Sequence, residues 1–159
     1  MRKLLKRLIN ITGEFNQTSY EVFGFIQTYG IETGSSRWGV ETENSDIDVL
    51  IPPHSKLDFD DIFREHNGRY LHGTEDGKIM HYTTNDFQSL YVLHGDKIYN
   101  LLFMWNEEAF ERWVYATLKM TENVRDIEGF QESIRDKEHR VKLFEEYKEE
   151  YIYDPNVLG

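Results

Sequence analysis

The chain has 159 residues, of which 39% are hydrophobic, 14% aromatic and 30% charged, with no cysteine and a formal net charge of -11. That length and balance suit one folded domain, and they exclude a disordered chain, a second domain of ordinary size, disulfides and thiolate metal sites. The acidic balance disfavours extended nucleic acid as a partner, and any metal has to be held by oxygen or imidazole.

Leu4, Leu5, Leu8 and Ile9 recur at helical spacing opposite Arg2, Lys3, Lys6 and Arg7, so the opening reads as a short amphipathic helix. It is too short and too soon interrupted for an export signal, and no apolar run approaches the roughly 20 residues that cross a bilayer. The expectation is a cytoplasmic protein with no membrane segment. Residues 19 to 30, SYEVFGFIQTYG, suit either a buried helix or a strand continuing into IET. After Asp46, the alternation of Ile47, Val49 and Ile51 predicts a strand that Pro52 and Pro53 end, because proline cannot donate to a sheet ladder. A short helix follows over 58 to 68, opened by acids that suit its positive end and closed near Gly68.

From 69 to 105 strand formers are broken by turn signals at EDGK and HGDK. The clearest hairpin spans 87 to 105, with its bend at His94, Gly95 and Asp96. Asn106 then caps a helix over 106 to 120, striped by Phe110, Trp113, Val114, Thr117 and Met120. A last helix is expected over about 127 to 150, with Phe130, Ile134, Val141, Phe144, Tyr147 and Tyr151 as its buried stripe. The whole reads as a single α+β domain over 1–159: a mixed, twisted sheet flanked by helices, with a carboxyl-terminal helical extension from about 126.

The chemistry concentrates in ETGSSRWGVETENSDIDVLIPP, residues 32 to 53. Gly34, Ser35 and Ser36 are small enough for the backbone to turn sharply and bring its N–H groups close to an anion, and Gly39 keeps the same turn free of a side chain. Neither the P-loop nor the dinucleotide-binding glycine pattern is present. Asp46 and Asp48 stand one residue apart on a strand, so both carboxylates point to one face with Cα atoms about 6 to 7 Å apart. Such a pair repels itself unless something positive lies between, and an all-oxygen set suits magnesium or manganese. Phosphate-binding glycines followed by a metal-binding acid pair at a strand start are the equipment for moving a nucleotidyl group from a nucleoside triphosphate.

GSSRWG followed by SDIDVLI resembles the signature of the polymerase-beta-like nucleotidyltransferase superfamily: glycine-serine, a few residues, glycine, then serine or threonine before D-x-D. Gly34 and Ser35 match the first pair, Gly39 the later glycine, and Ser45, Asp46 and Asp48 the acidic part. The resemblance implies the minimal, single-domain form of that fold. It also implies that Ser35 touches the terminal phosphates, that Asp46 and Asp48 hold the metals, and that an acceptor oxygen attacks the α-phosphate with loss of pyrophosphate. ATP or another nucleoside triphosphate would serve, since nothing in the motif reads a base. The departure is the third acid of that family, whose equivalent position in KIYNLLFMW holds Asn100. Asparagine ligates a metal through its carbonyl but takes no proton at neutral pH. Asp96 and Asp76 are the nearest stand-ins.

Plainer readings stand beside these. Ser45 suits a turn that borders the site, and Arg37 is balanced between a phosphate contact and a surface role. Trp38 could pack over the site or stack on a base. His72, His81 and His94 lack ligand spacing and read as structural. The acidic carboxyl-terminal helix reads as a solvated face with a buried stripe, or as a docking surface. The acceptor is expected to be a small molecule, a protein or a single RNA end, presented on a shallow surface, by a second copy of the chain or by a partner protein. The alternative function is a nucleotide-binding or partner-binding regulatory module whose chemistry was lost with the third carboxylate.

Overall fold

The computed structural model describes residues 20–43, 45–53 and 81–156. The helices expected over 3–9 and 58–68, and the turn at 75–78 with Asp76, lie outside the described residues. Within them, helix α1 (Tyr20–Tyr29) leads into strand β1 (Ile31–Thr33), helix α2 (Ser35–Trp38) and strand β2 (Ile47–Ile51). Strands β3 (His81–Thr83), β4 (Phe87–His94) and β5 (Lys97–Met104) follow, then helices α3 (Glu107–Asp126), α4 (Phe130–Ser133) and α5 (Lys137–Glu150). The ambiguity over residues 19 to 33 thus resolves into a helix and then a short strand, separated at Gly30.

The five strands lie in the order β1-β2-β5-β4-β3. Only β2 and β5 run parallel; the other neighbours are antiparallel, so the fold is α+β with a mixed sheet and flanking helices, as expected. The β4–β5 hairpin turns at Gly95 and Asp96, with His94 paired to Lys97. Because side chains alternate along a strand, the sheet has two distinct faces. On one, Val49, Ile51, Leu90, Val92, Leu101 and Phe103 form an apolar layer with Ile26 of α1. On the other, Leu50, Phe87, Leu102 and Met104 pack with Ala109 of α3.

Helix α3 begins at Asn106, whose side chain accepts from the Ala109 N–H, with Glu107 and Glu108 at its positive end. It is longer than the sequence pattern indicated, running to Asp126. The expected single helix over 127 to 150 is instead two. Ile134 ends α4 and is fully buried, and Asp136 caps α5 by accepting from Glu138 N and His139 N. The capping aspartate competes for backbone N–H groups that a continuous helix would have used. As a consequence Val141, expected in the buried stripe, is 51% exposed.

Helix α5 is fixed to the rest through Trp38, Val40, Ala116, Met120, Ile134 and Phe144, which share one cluster. Lys148 is buried beside it, 4.6 Å from the centre of the Trp113 ring and paired with Asp86 and Glu145. Asp86 also accepts from Trp113 Nε1 at 2.9 Å, so one carboxylate ties the start of the hairpin to two helices. No described helix is long and apolar enough to cross a membrane. Helices cover both faces of the sheet: α3 lies on the face that carries Asp48 and α1 on the other.

Candidate functional site

Strand β1 ends at Thr33, which is paired in register with Asp48 of β2. The next residue, Gly34, has φ +80°, a conformation that costs an L side chain energy but not glycine. Space gives a second reason for glycine here. A Cβ at Gly34 would lie 2.6 Å from Asp48 Oδ2, so the absent side chain lets the turn close directly onto the carboxylate. The turn continues into α2 with Ser35, whose hydroxyl has no hydrogen-bond partner among the described residues.

Asp46 immediately precedes β2 and Asp48 is its second residue. Both line one cavity of about 540 Å³, together with Gly34, Ser35, Ser45 and Asn100. The Asp48 pKa is pushed up to about 7, first by burial and then by the negative charge of Asp46; Glu32 adds slightly, while Asn100 and Arg140 oppose the rise. A carboxylate whose ionisation is opposed by burial and by a neighbouring acid is relieved when a cation comes beside it.

Asn100 lies opposite Asp48 in the parallel register. Its Nδ2 donates to Asp48 Oδ1 at 3.1 Å, and its Oδ1 accepts from the buried Ser89 hydroxyl. That network assigns the amide orientation. In it, the carbonyl oxygen faces Ser89 and the N–H faces the acid, so Asn100 acts here as a donor to Asp48. The side chains of Thr33, Asp48, Asn100 and Ser89 therefore make a polar end to a sheet face that is otherwise apolar.

The opposite wall comes from the carboxyl-terminal extension. Arg135, Lys137 and Arg140 line the same cavity, with Val141, Phe144 and Glu145. Lys137, Arg140, Val141 and Phe144 fall at i, i+3, i+4 and i+7, which is one face of α5. Arg140 Nη1 is held by the Ile134 carbonyl at 2.9 Å, and Asp48 and Arg140 each favour the other's charged form. Burial nevertheless draws the Arg140 pKa down from its ordinary value. The acidic carboxyl-terminal segment, expected as a solvated face with a buried stripe or as a docking surface, brings three cations to the cavity that this expectation did not mark. A local signal was present: Lys137 and Arg140 stand in the first turn of a helix, where the macrodipole favours acids. A choice that breaks a local rule marks a site worth testing.

Ser45 forms a turn with Thr42, accepting its N–H at 2.9 Å, and borders the cavity. Gly39 closes α2 at φ +74°, and a Cβ there would meet Gln131 Nε2 at 2.7 Å. Gly39 is not among the cavity-lining residues, and neither is Arg37. Arg37 turns away, donating to Thr121 Oγ1 at 2.9 Å and to the Glu32 carbonyl at 3.1 Å. Trp38 is buried against Phe144 and lines the cavity, and its Nε1–H has no acceptor among the described residues. Asp96 sits in the hairpin turn and lines neither this cavity nor its neighbour. His94 stacks on Phe23 at 3.6 Å, a packing role; His72 lies outside the described residues, as does the side chain of His81.

Among the described residues no three acidic or imidazole side chains gather closely enough to hold a metal alone. The donor set still fits magnesium, which is commonly held by one or two carboxylates and completed by water and substrate phosphates. A second cavity, of about 590 Å³, adjoins the first through Thr42, Ser45 and Asp46, and carries Glu32, Glu41, Glu43 and Lys97. No family model matches the chain, and no curated protein and no solved structure matches it.

Proposed function

We propose that the protein is a metal-dependent nucleotidyltransferase of the polymerase-beta-like kind, moving a nucleoside monophosphate from a nucleoside triphosphate to an acceptor. One observation carries the reading: the glycine turn at Gly34 and Ser35 and the acid pair Asp46 and Asp48 open onto one cavity, with Gly34 lacking a Cβ where one would strike Asp48. Sequence order alone does not require that contact. In this reading Asp46 and Asp48 hold magnesium or manganese, which when bound neutralises charge on the phosphates and orients them. Ser35 offers its hydroxyl, which no described residue engages, to the terminal phosphates. The acceptor oxygen forms its bond to the α-phosphorus as the bond to the β-phosphate oxygen breaks, releasing pyrophosphate, and the acceptor's proton passes to solvent. Asn100 positions Asp48 by donating to it. The acceptor is a small molecule or a protein, reached directly or through a second subunit, and the cysteine-free chain suits a reducing cytoplasm.

The test is calorimetry with ATP and magnesium on the wild type and on Asp46→Ala and Asp48→Ala, followed by a pyrophosphate-release screen over candidate acceptors. Magnesium-dependent affinity confined to the wild type is the expected result. Equal affinity in all three proteins would remove the site. Asn100 favours a second reading, a nucleotide-binding regulatory module, because the register position beside Asp48 carries an amide and not a third carboxylate. Under that reading the nucleotide binds, the wild type releases no pyrophosphate with any acceptor, and Asn100→Asp gains turnover.

A further inference from the structure

The cavity has two walls of opposite character. The sheet wall carries Asp46 and Asp48, and the wall formed by the break between α4 and α5 carries Arg135, Lys137 and Arg140 with one acid, Glu145, which is paired to Lys148. In a chain of net charge -11, three cations converging on one concavity have no statistical reason to do so. Nor do the described residues use them up, although Arg140 also feels the charges of Asp48 and Asp136. The Arg135 pair with Glu132 is exposed and worth little, Lys137 makes no hydrogen bond or ion pair among the described residues, and Arg140 spends one nitrogen on the Ile134 carbonyl. The buried Trp38 N–H on the same cavity adds a donor that the described residues leave without an acceptor. Such a group costs stability unless something supplies the acceptor.

We infer that the wall of Arg135, Lys137 and Arg140 is a phosphate subsite, taking the phosphate groups of a ligand that enters the cavity above Asp46 and Asp48. Guanidinium groups present planar forks that match phosphate oxygens, and the lysine adds a point charge. The helix break at Ile134 to Asp136 is what makes the subsite, because a continuous helix would carry these residues past the cavity at another angle. The inference rests on the nucleotidyltransferase reading for the identity of the ligand, not for the existence of the subsite. Two sources share the chemistry: the triphosphate tail of the nucleotide, or a phosphate on the acceptor.

The experiment uses the full chain and inorganic tripolyphosphate, titrated by calorimetry at low ionic strength with divalent metals chelated. Lys137→Gln and Arg140→Gln should each weaken binding by about tenfold or more, Arg135→Gln by less, and Lys142→Gln, the same charge change on the same helix but away from the cavity, should leave it unchanged. Arg140→Gln disturbs the contact to Ile134, so the exposed Lys137 keeps the result interpretable. Competition by ATP would identify the nucleotide tail, and tripolyphosphate binding that ATP does not displace would identify a phosphorylated acceptor; either supports the subsite. Affinity equal in wild type and Lys137→Gln, or no binding at all, would overturn it. If ATP shows no magnesium dependence while tripolyphosphate binding still needs Lys137, the transferase reading fails and the subsite stands.

Discussion

The two faces of the sheet are built from the same strands and the same alternation, yet they end differently. The face under α1 carries a buried apolar cluster, from Ile51 and Phe103 to Val49, Leu101 and Val92, with polar Glu32 and Gln88 at its margins. The face under α3 is apolar at Leu50, Leu102 and Met104 and then changes character within one pleat, to Asp48, Asn100 and Thr33. The first face holds the fold together. The second gives up part of that stabilisation, since a partly buried carboxylate with a raised pKa is an unfavourable thing to fold around. A protein keeps such a group where its charge has a use.

The difference between the faces has a sign that denaturation can read. Leu101, fully buried on the α1 face, should cost about 2–5 kcal/mol when truncated to alanine, by loss of transfer free energy and the cavity left behind. Urea unfolding should show that loss undiminished from acid to mild alkali, because nothing titratable is removed. A cost well under 1 kcal/mol would mean that the α1 face is not what holds the fold together.

On the other face, Asp48→Asn should act in the opposite direction and only at one end of the pH range. The Asp48 carboxyl has a folded pKa of about 7 against an ordinary value of 3.8, so the folded chain binds the extra proton. Stability from this group is therefore fully present below about pH 4 and is lost as pH rises through 7. The metal-free Asn variant should match the wild type near pH 4 and exceed its stability by a few kcal/mol at pH 8. Added magnesium should narrow the gap at pH 8 by stabilising only the wild type. Parallel stability-pH curves for the two proteins would show that Asp48 is not strained.

The contrast between the faces also marks what could be read from the sequence. The strand at Ile47 to Ile51, the hairpin bend at Gly95 and Asp96, and the Asn106 cap were legible because each depends on a local rule: alternation, a turn residue, a side-chain acceptor. Asp46 and Asp48 were legible as a pair because they stand two positions apart at a strand start, Asp46 just before the strand and Asp48 on it. The break at Ile134 to Asp136 was not, since the apolar spacing runs through it and only the capping contact of Asp136 reveals it. The cationic wall was hidden by the same break, and by the surplus of acids around it. Asn100 could be placed beside the acid pair only through the family resemblance, and the direction of its amide depends on Ser89, 11 residues away and buried on the next strand.

That dependence supplies the smallest and most selective test. Ser89 and Leu90 are neighbours in β4 that serve opposite faces, and both are buried. Removing the Ser89 hydroxyl takes that donor away from the Asn100 carbonyl, at a cost of about 1–3 kcal/mol. The cost should itself depend on pH. The amide is held by Ser89 in the orientation that donates to Asp48, and this donation lowers the Asp48 pKa against the effect of burial. If Ser89→Ala lets the amide turn, Asp48 loses its donor, its pKa rises further, and its ionised form becomes still less favourable in the folded protein. Ser89→Ala should therefore lose more stability at pH 8 than at pH 4, where Asp48 is protonated in both proteins. In the double variant Ser89→Ala, Asp48→Asn the pH-dependent part should vanish while the pH-independent part remains. An equal loss at both pH values in the single variant would show that Ser89 packs against Asn100 without orienting it, and the polar row would then be a set of separate contacts.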